Sequence, residues 1–250
     1  MNYAQIKMRL ANKGKGSFRS EGSTIFLYDA IASNQDEADF WGGVSPEAFI
    51  AQLDSMSGPV TLRINSPGGS VFGAQAMVAA MRQYNGPITA QVDSLAASAA
   101  SVLAVSCASC TMVPGAMMMI HKAWGVSVGN STDMNEMAAL LDKLDGSIAA
   151  TYAEKAGGSV DDFLAKMAAE TWLTADEAVA AKLADQVAQN NTQRAQMNWD
   201  LSAFAAAPTS VAEVAAVPTP PVEPAPANNA EMERDARLRH ADALIRTSPI

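Results

Sequence analysis

Apolar positions alternate between two rhythms along the first 190 residues. The β-branched and aromatic runs at 24–29 (TIFLYD), 60–64 (VTLRI) and 88–92 (ITAQV) read as strands. Between them the spacing is helical. Ser45 can cap a helix that has Pro46 at its first position and runs to about Met56, where Gly58-Pro59 breaks it. From Ser70, the positions of Val71, Ala74, Met77, Val78 and Met81 make one face of a second helix, stopping at Asn85-Gly86-Pro87. A helix of small residues at 97–105 and strands at 109–113 and 117–120 follow. Strand and helix alternating every ~25–30 residues predict an α/β layered fold with mostly parallel strands.

Helices dominate afterwards. Met134, Met137, Leu141, Leu144 and Ile148 recur at steps of three and four, giving a long helix over 133–156 with a narrow seam suited to docking on another helix, and hence to self-association. Thr174 and Glu177 form a capping box for a helix over 174–183. Seven of the twelve prolines lie beyond residue 200, so 191–250 is expected to be an extended, disordered tail with a short charged helix at 231–246. The domain reading is a basic amino-terminal arm over 1–21, one folded domain over 22–190 and that tail.

Charge narrows the partners. A net charge of -9 and a pI near 4.7 argue against nucleic acid, which needs a cationic face. The arm is locally basic through Lys7, Arg9, Lys13, Lys15 and Arg19. No apolar run approaches the ~18 residues of a membrane span and the start has no secretory apolar region, so a soluble, intracellular protein is expected. Cys107 and Cys110 form a single C-x-x-C without the context of a redox helix or two further zinc ligands, and read as buried apolar thiols; no metal or cofactor is expected.

Candidate chemistry concentrates between Val92 and His121. A serine among small residues followed by a histidine is what a hydrolase needs, because a hydroxyl becomes nucleophilic when an imidazole takes its proton. Only His121 and His240 exist, and His240 lies in the charged tail. Ser98 is placed at the start of the small-residue helix, where free N–H groups favour developing negative charge. Asn65-Ser66-Pro67-Gly68-Gly69 joins a strand to a helix and can turn backbone N–H groups toward a ligand, although a plain tight turn has the same composition. A Walker phosphate loop is excluded by the missing lysine, and the G-x-S-x-G elbow fails at Phe72.

Taken in order, INSPGG, a strand, DSLAASA, MIH and Glu170-Thr171-Trp172-Leu173-Thr174-Ala175 resemble the ClpP family of serine peptidases over residues 22–188. The resemblance implies the ClpP/crotonase-like fold of repeated β-β-α units with a long protruding helix. It implies Ser98 as nucleophile, His121 as general base, and the N–H groups of Gly68 and Ala99 as oxyanion hole. Glu170 falls where the family has its acid, usually an aspartate; Asp176 is the fallback. The stretches GVSPEAF and ETWLTADEA are most similar to the ClpP-related head maturation proteases of tailed phages and prophages. That likeness implies a ring-forming endopeptidase acting on capsid or scaffold proteins, in the host cytoplasm or within the prohead, without nucleic acid or membrane. The alternatives are a Clp proteolytic subunit working with a separate ATPase, a crotonase-type enzyme of acyl-CoA thioesters, and a catalytically silent scaffold or capsid-interaction protein.

Overall fold

The computed structural model describes residues 3–189 and 199–208 of the chain. Helix α1 (Tyr3–Asn12) leads into a hairpin of β1 (Ser17–Glu21) and β2 (Thr24–Tyr28). After the short α2 (Gln35–Trp41) come α3 (Pro46–Asp54), β3 (Val60–Ser66), α4 (Val71–Gln83) and β4 (Ile88–Ala97). The caps follow the sequence: Ser45 accepts from the Ala48 N–H with Pro46 in the first turn, and Ser70 accepts from the Gly73 N–H. Next are α5 (Ala99–Val105), β5 (Ser109–Met112), β6 (Met117–Ile120) and the 26-residue α6 (Ser131–Ala156). Then α7 (Val160–Ala168), β7 (Thr171–Thr174), α8 (Ala175–Ala180) and β8 (Gln186–Val187) end the domain.

Strands β1-β2-β3-β4-β5-β8 lie side by side, parallel except for the β1–β2 hairpin, while β6 joins β4 in parallel and β7 joins β6 antiparallel. This is the layered α/β arrangement with mostly parallel strands that the sequence predicts. The main core lies between this sheet and α3, α4, α5 and the carboxyl half of α6, with Leu62, Ile64, Met77, Leu103 and Tyr152 among its fully enclosed side chains. Among the described residues no helix is long and apolar enough to cross a membrane.

Several features depart from the pattern. Residues 3–21, read as a basic arm, carry α1 and β1, because their charges find partners: Arg9 pairs with Glu37, and Arg19 pairs with Glu21 and stacks on Phe26. Strand β4 continues five residues past Val92, since its polar Asp93 is buried yet satisfied by Arg63 Nε and Nη2 at 2.7 and 2.6 Å, Tyr28 Oη at 2.6 Å and Gln91 at 2.8 Å. That arrangement offsets the cost of a buried charge and ties three strands together. Short α2, β7 and β8 have too few residues for a readable period, and α7 is a further helix the sequence reading did not mark. Within the stretch expected to be disordered, residues 199–208 pack on the domain, because Trp199, Leu201 and Phe204 meet an apolar face made by Leu95, Ala97, Met119 and Met8. The expected helix at 231–246 and His240 lie outside the described residues.

Candidate active site

Strand register gathers the expected residues at one end of the sheet. Ser66 pairs with Ala96 across β3 and β4, which sets Gly68 level with Ser98. Ala97 pairs with Met119 across β4 and β6, and the Ser98 N–H donates to Met119 O at 2.8 Å, so His121 leaves its strand beside Ser98. Ile120 pairs with Thr171 across β6 and β7, which sets Glu170 opposite His121. The loops after β3, β4 and β6, joined by the residue that precedes β7, thus converge where open α/β sheets place their ligands.

Ser98 Oγ and His121 Nε2 are 2.7 Å apart. Ser98 stands at the turn from β4 into α5 with φ 53° and ψ −125°, a conformation that thrusts its side chain off the backbone. The turn is pinned from behind. Ser98 O accepts from Ser101 N at 2.9 Å and from Ser101 Oγ at 2.6 Å, and Tyr152 Oη lies 2.8 Å from Ser101 Oγ. With the Ser101 proton committed to the carbonyl, the Tyr152 hydroxyl is the donor in that last bond. Gly68, at φ 87°, touches the nucleophile's turn: a β-carbon there would lie 2.5 Å from Ala97 O and 2.8 Å from Ser98 Cβ. Its N–H donates to Ser66 Oγ at 3.2 Å. Ala99 opens α5, so its N–H has no partner within the helix.

His121 is largely enclosed, by Trp124 and by Phe204, whose ring meets it edge-on at 5.4 Å. Burial pushes the imidazole down to about 4, against the smaller upward pull of Glu170 and Asp145. It is therefore neutral, and able to accept a proton, at ordinary pH. Glu170, itself at φ 48°, lies within electrostatic reach of the imidazole but is engaged elsewhere. Its Oε1 accepts from Ala206 N at 2.7 Å and Trp172 Nε1 at 3.2 Å, its Oε2 from Ala205 N at 3.0 Å; among the described residues no hydrogen bond joins it to His121. Asp176 is exposed in the first turn of α8, where Glu177 completes the capping box with Thr174.

Sequence reasoning passed over Asp145. This buried carboxylate of α6 accepts from Ala123 N at 2.6 Å and pairs with Lys122 at 3.4 Å, fixing the segment that follows His121. Its only sequence signal is an acid next to the apolar seam. The amino-terminal part of the seam packs on the segment that follows His121, with Met137 and Leu141 against Gly125, while Ile148 enters the main core. With Leu144 and Ile148, Met137 and Leu141 help line a cavity of about 320 Å³ that opens on Ser98 and His121 and is walled mainly by apolar side chains. Its size and lining suit an apolar side chain of a bound molecule.

Cys107 and Cys110 are buried and free, with burial raising the first thiol and pushing the second up to about 12, so neither is a thiolate at neutral pH. Among the described residues no cluster of three or more His, Cys, Asp or Glu is placed to hold a metal ion.

The family described as Clp protease matches residues 21–191. The ATP-dependent Clp protease proteolytic subunit of Bacteroides fragilis is 30% identical over 165 residues, covering 64% of this chain and 80% of that protein. Those of Streptococcus gordonii and Streptococcus pneumoniae are each 31% identical, over 147 and 148 residues, covering 57% and 58% of this chain and 74% and 75% of theirs.

Proposed function

Because the chain belongs to the Clp protease family, a family of peptidases, we propose that it is a serine endopeptidase whose peptidase unit spans residues 22–190. The observation that carries this reading is the 2.7 Å approach of Ser98 Oγ to a neutral His121. In the proposed reaction Ser98 Oγ attacks the scissile carbonyl carbon while His121 Nε2 takes its proton. The carbonyl oxygen, now negative, is held by the Ala99 N–H and by the Gly68 N–H, which gives up its 3.2 Å bond to Ser66 Oγ; in other acyl-transfer enzymes losing one such donor costs about 100 to 1000-fold in rate. The imidazolium returns its proton to the departing amine, and water then cleaves the acyl-serine by the same steps. Glu170 has the part of the acid that orients the imidazole.

Substitution of Ser98 by Ala tests the chemistry. Loss of peptide hydrolysis by up to about a million-fold in kcat is expected, together with loss of covalent labelling by a fluorophosphonate. A protein that acted unchanged after Ser98→Ala would be a scaffold that had kept the fold, and labelling at another serine would refute the assignment.

For the biological role we infer processing of capsid or scaffold proteins in phage head maturation, in the host cytoplasm or the prohead, by a ring of subunits. This rests on the likeness of GVSPEAF and ETWLTADEA to that group. The names of the matched relatives favour a second reading, a proteolytic subunit working with a separate ATPase. Stimulation of folded-substrate degradation by an added Clp-type ATPase would support the second; trimming of a co-expressed capsid protein without one supports the first.

A further inference from the structure

Residues 199–208 return to the face that carries the site and are fastened to it at four points. Asn12 exchanges two hydrogen bonds with Asp200, at 2.8 and 2.7 Å. The Trp199 indole donates to Asn65 Oδ1 at 3.0 Å, one residue before the Ser66–Gly69 turn. Beyond them Phe204, only 6% exposed, sets its ring edge-on to His121 at 5.4 Å and to Trp172 at 6.0 Å, and reaches the wall of the cavity on which Ser98 opens. The next two residues give their backbone N–H groups to the two oxygens of Glu170.

These contacts are the chemistry of a bound peptide. An aromatic side chain fills an apolar recess and main-chain amides meet fixed acceptors, the two means by which a groove holds a polypeptide. What they displace is specific. The carboxylate positioned by strand register opposite His121 receives three N–H donors, all from Trp172 and the segment, and none from the imidazole. The apolar surface beneath, Leu95, Ala97 and Met119, is closed off by Phe204 together with Met8 and neighbouring tryptophans. A substrate chain entering here would meet ground already taken.

We propose that residues 199–208 are an intramolecular ligand of the active-site cleft, a strap that seats Phe204 against His121 and draws Glu170 away from it, keeping the subunit latent until an incoming polypeptide displaces it. The proposal rests on the serine-peptidase reading. Activity scales with the fraction of molecules whose strap is released, so if that fraction is about a tenth, full release raises the rate on the order of 10-fold.

Full-length Ala206→Pro and Phe204→Ala, compared with the unaltered chain, test this by the rate of fluorophosphonate labelling at Ser98. Ala206 is exposed, so proline there removes one donor to Glu170 without opening the small core that Phe204→Ala risks. Both variants are expected to label at least about 10-fold faster. Ala206→Pro also shifts the pH midpoint of labelling upward, because the freed Glu170 carboxylate favours the protonated imidazole; the other charges near that ring, Asp145 of α6 and the Lys122 paired with it, stay in place. Labelling of Ala206→Pro at the unaltered rate and midpoint would overturn the strap and leave the peptidase reading standing. If no form labels at Ser98, the peptidase reading falls and the strap with it.

Discussion

Ser98 occupies a backbone region that costs a residue with a β-carbon about 1–3 kcal/mol, and its neighbours account for its persistence. Its N–H is held by Met119, its carbonyl by Ser101, and the space in front is cleared by Gly68. His121 titrates low because it is enclosed, which sets the pH behaviour. With a folded value of about 4 against the ordinary 6.5, the unfolded chain binds more protons between those limits. The contribution of His121 to stability is therefore complete above the ordinary value and lost as pH falls through that window. Activity follows the same neutral form: kcat/KM should be level from pH 8 to about 6 and fall as pH approaches the folded value. A fall centred near the ordinary histidine value would show that the ring is more open in solution. Ser98 and His121 were legible in the sequence because each belongs to a local motif beside a readable strand. The engagement of Glu170 was not, since its partners Ala205 and Ala206 are unremarkable residues 35 and 36 positions away.

At the scale of elements, the site depends on which strands and helices abut. Helix α6 is closed by a capping box at Asn130 and by Gly157 in the left-handed conformation; its first half stands largely exposed while Ile148, Ala149 and Tyr152 of its second half enter the core. Tyr152 joins this helix to α5 through Ser101 and the Ser98 carbonyl. Tyr152→Phe should therefore lower kcat on the order of 10-fold, the worth of one buried hydrogen bond, and leave KM nearly unchanged. An increase in KM alone would mean that the hydroxyl shapes the cavity and not the nucleophile. The regular elements were most legible where a capping residue or a run of β-branched side chains marked them, as in α3, α4 and β3. The β4 extension was hidden because Asp93 and Ser94 look like a strand end until Arg63 and Tyr28 supply partners from two other strands. No pattern in one segment records a bond made by another.

For the whole molecule, the exposed half of α6 and the proposed ring belong together. Met134 and Leu140 remain substantially exposed there, and α6 is the element expected to dock between subunits. Sedimentation of the purified protein should give an assembly several times the 26.1 kDa chain; a stable monomer with full peptidase activity would remove the ring from the proposal. The layered α/β architecture was visible from alternation alone, whereas the closure of the site by 199–208 required knowing which sheet face lacked a cover. The same closure has an optical consequence. Of the four tryptophans at 41, 124, 172 and 199, the last three belong to the small apolar cluster around Phe204. Ultraviolet emission from this protein is thus weighted toward one corner of it, so that the catalytic cleft carries a native fluorophore set needing no attached dye.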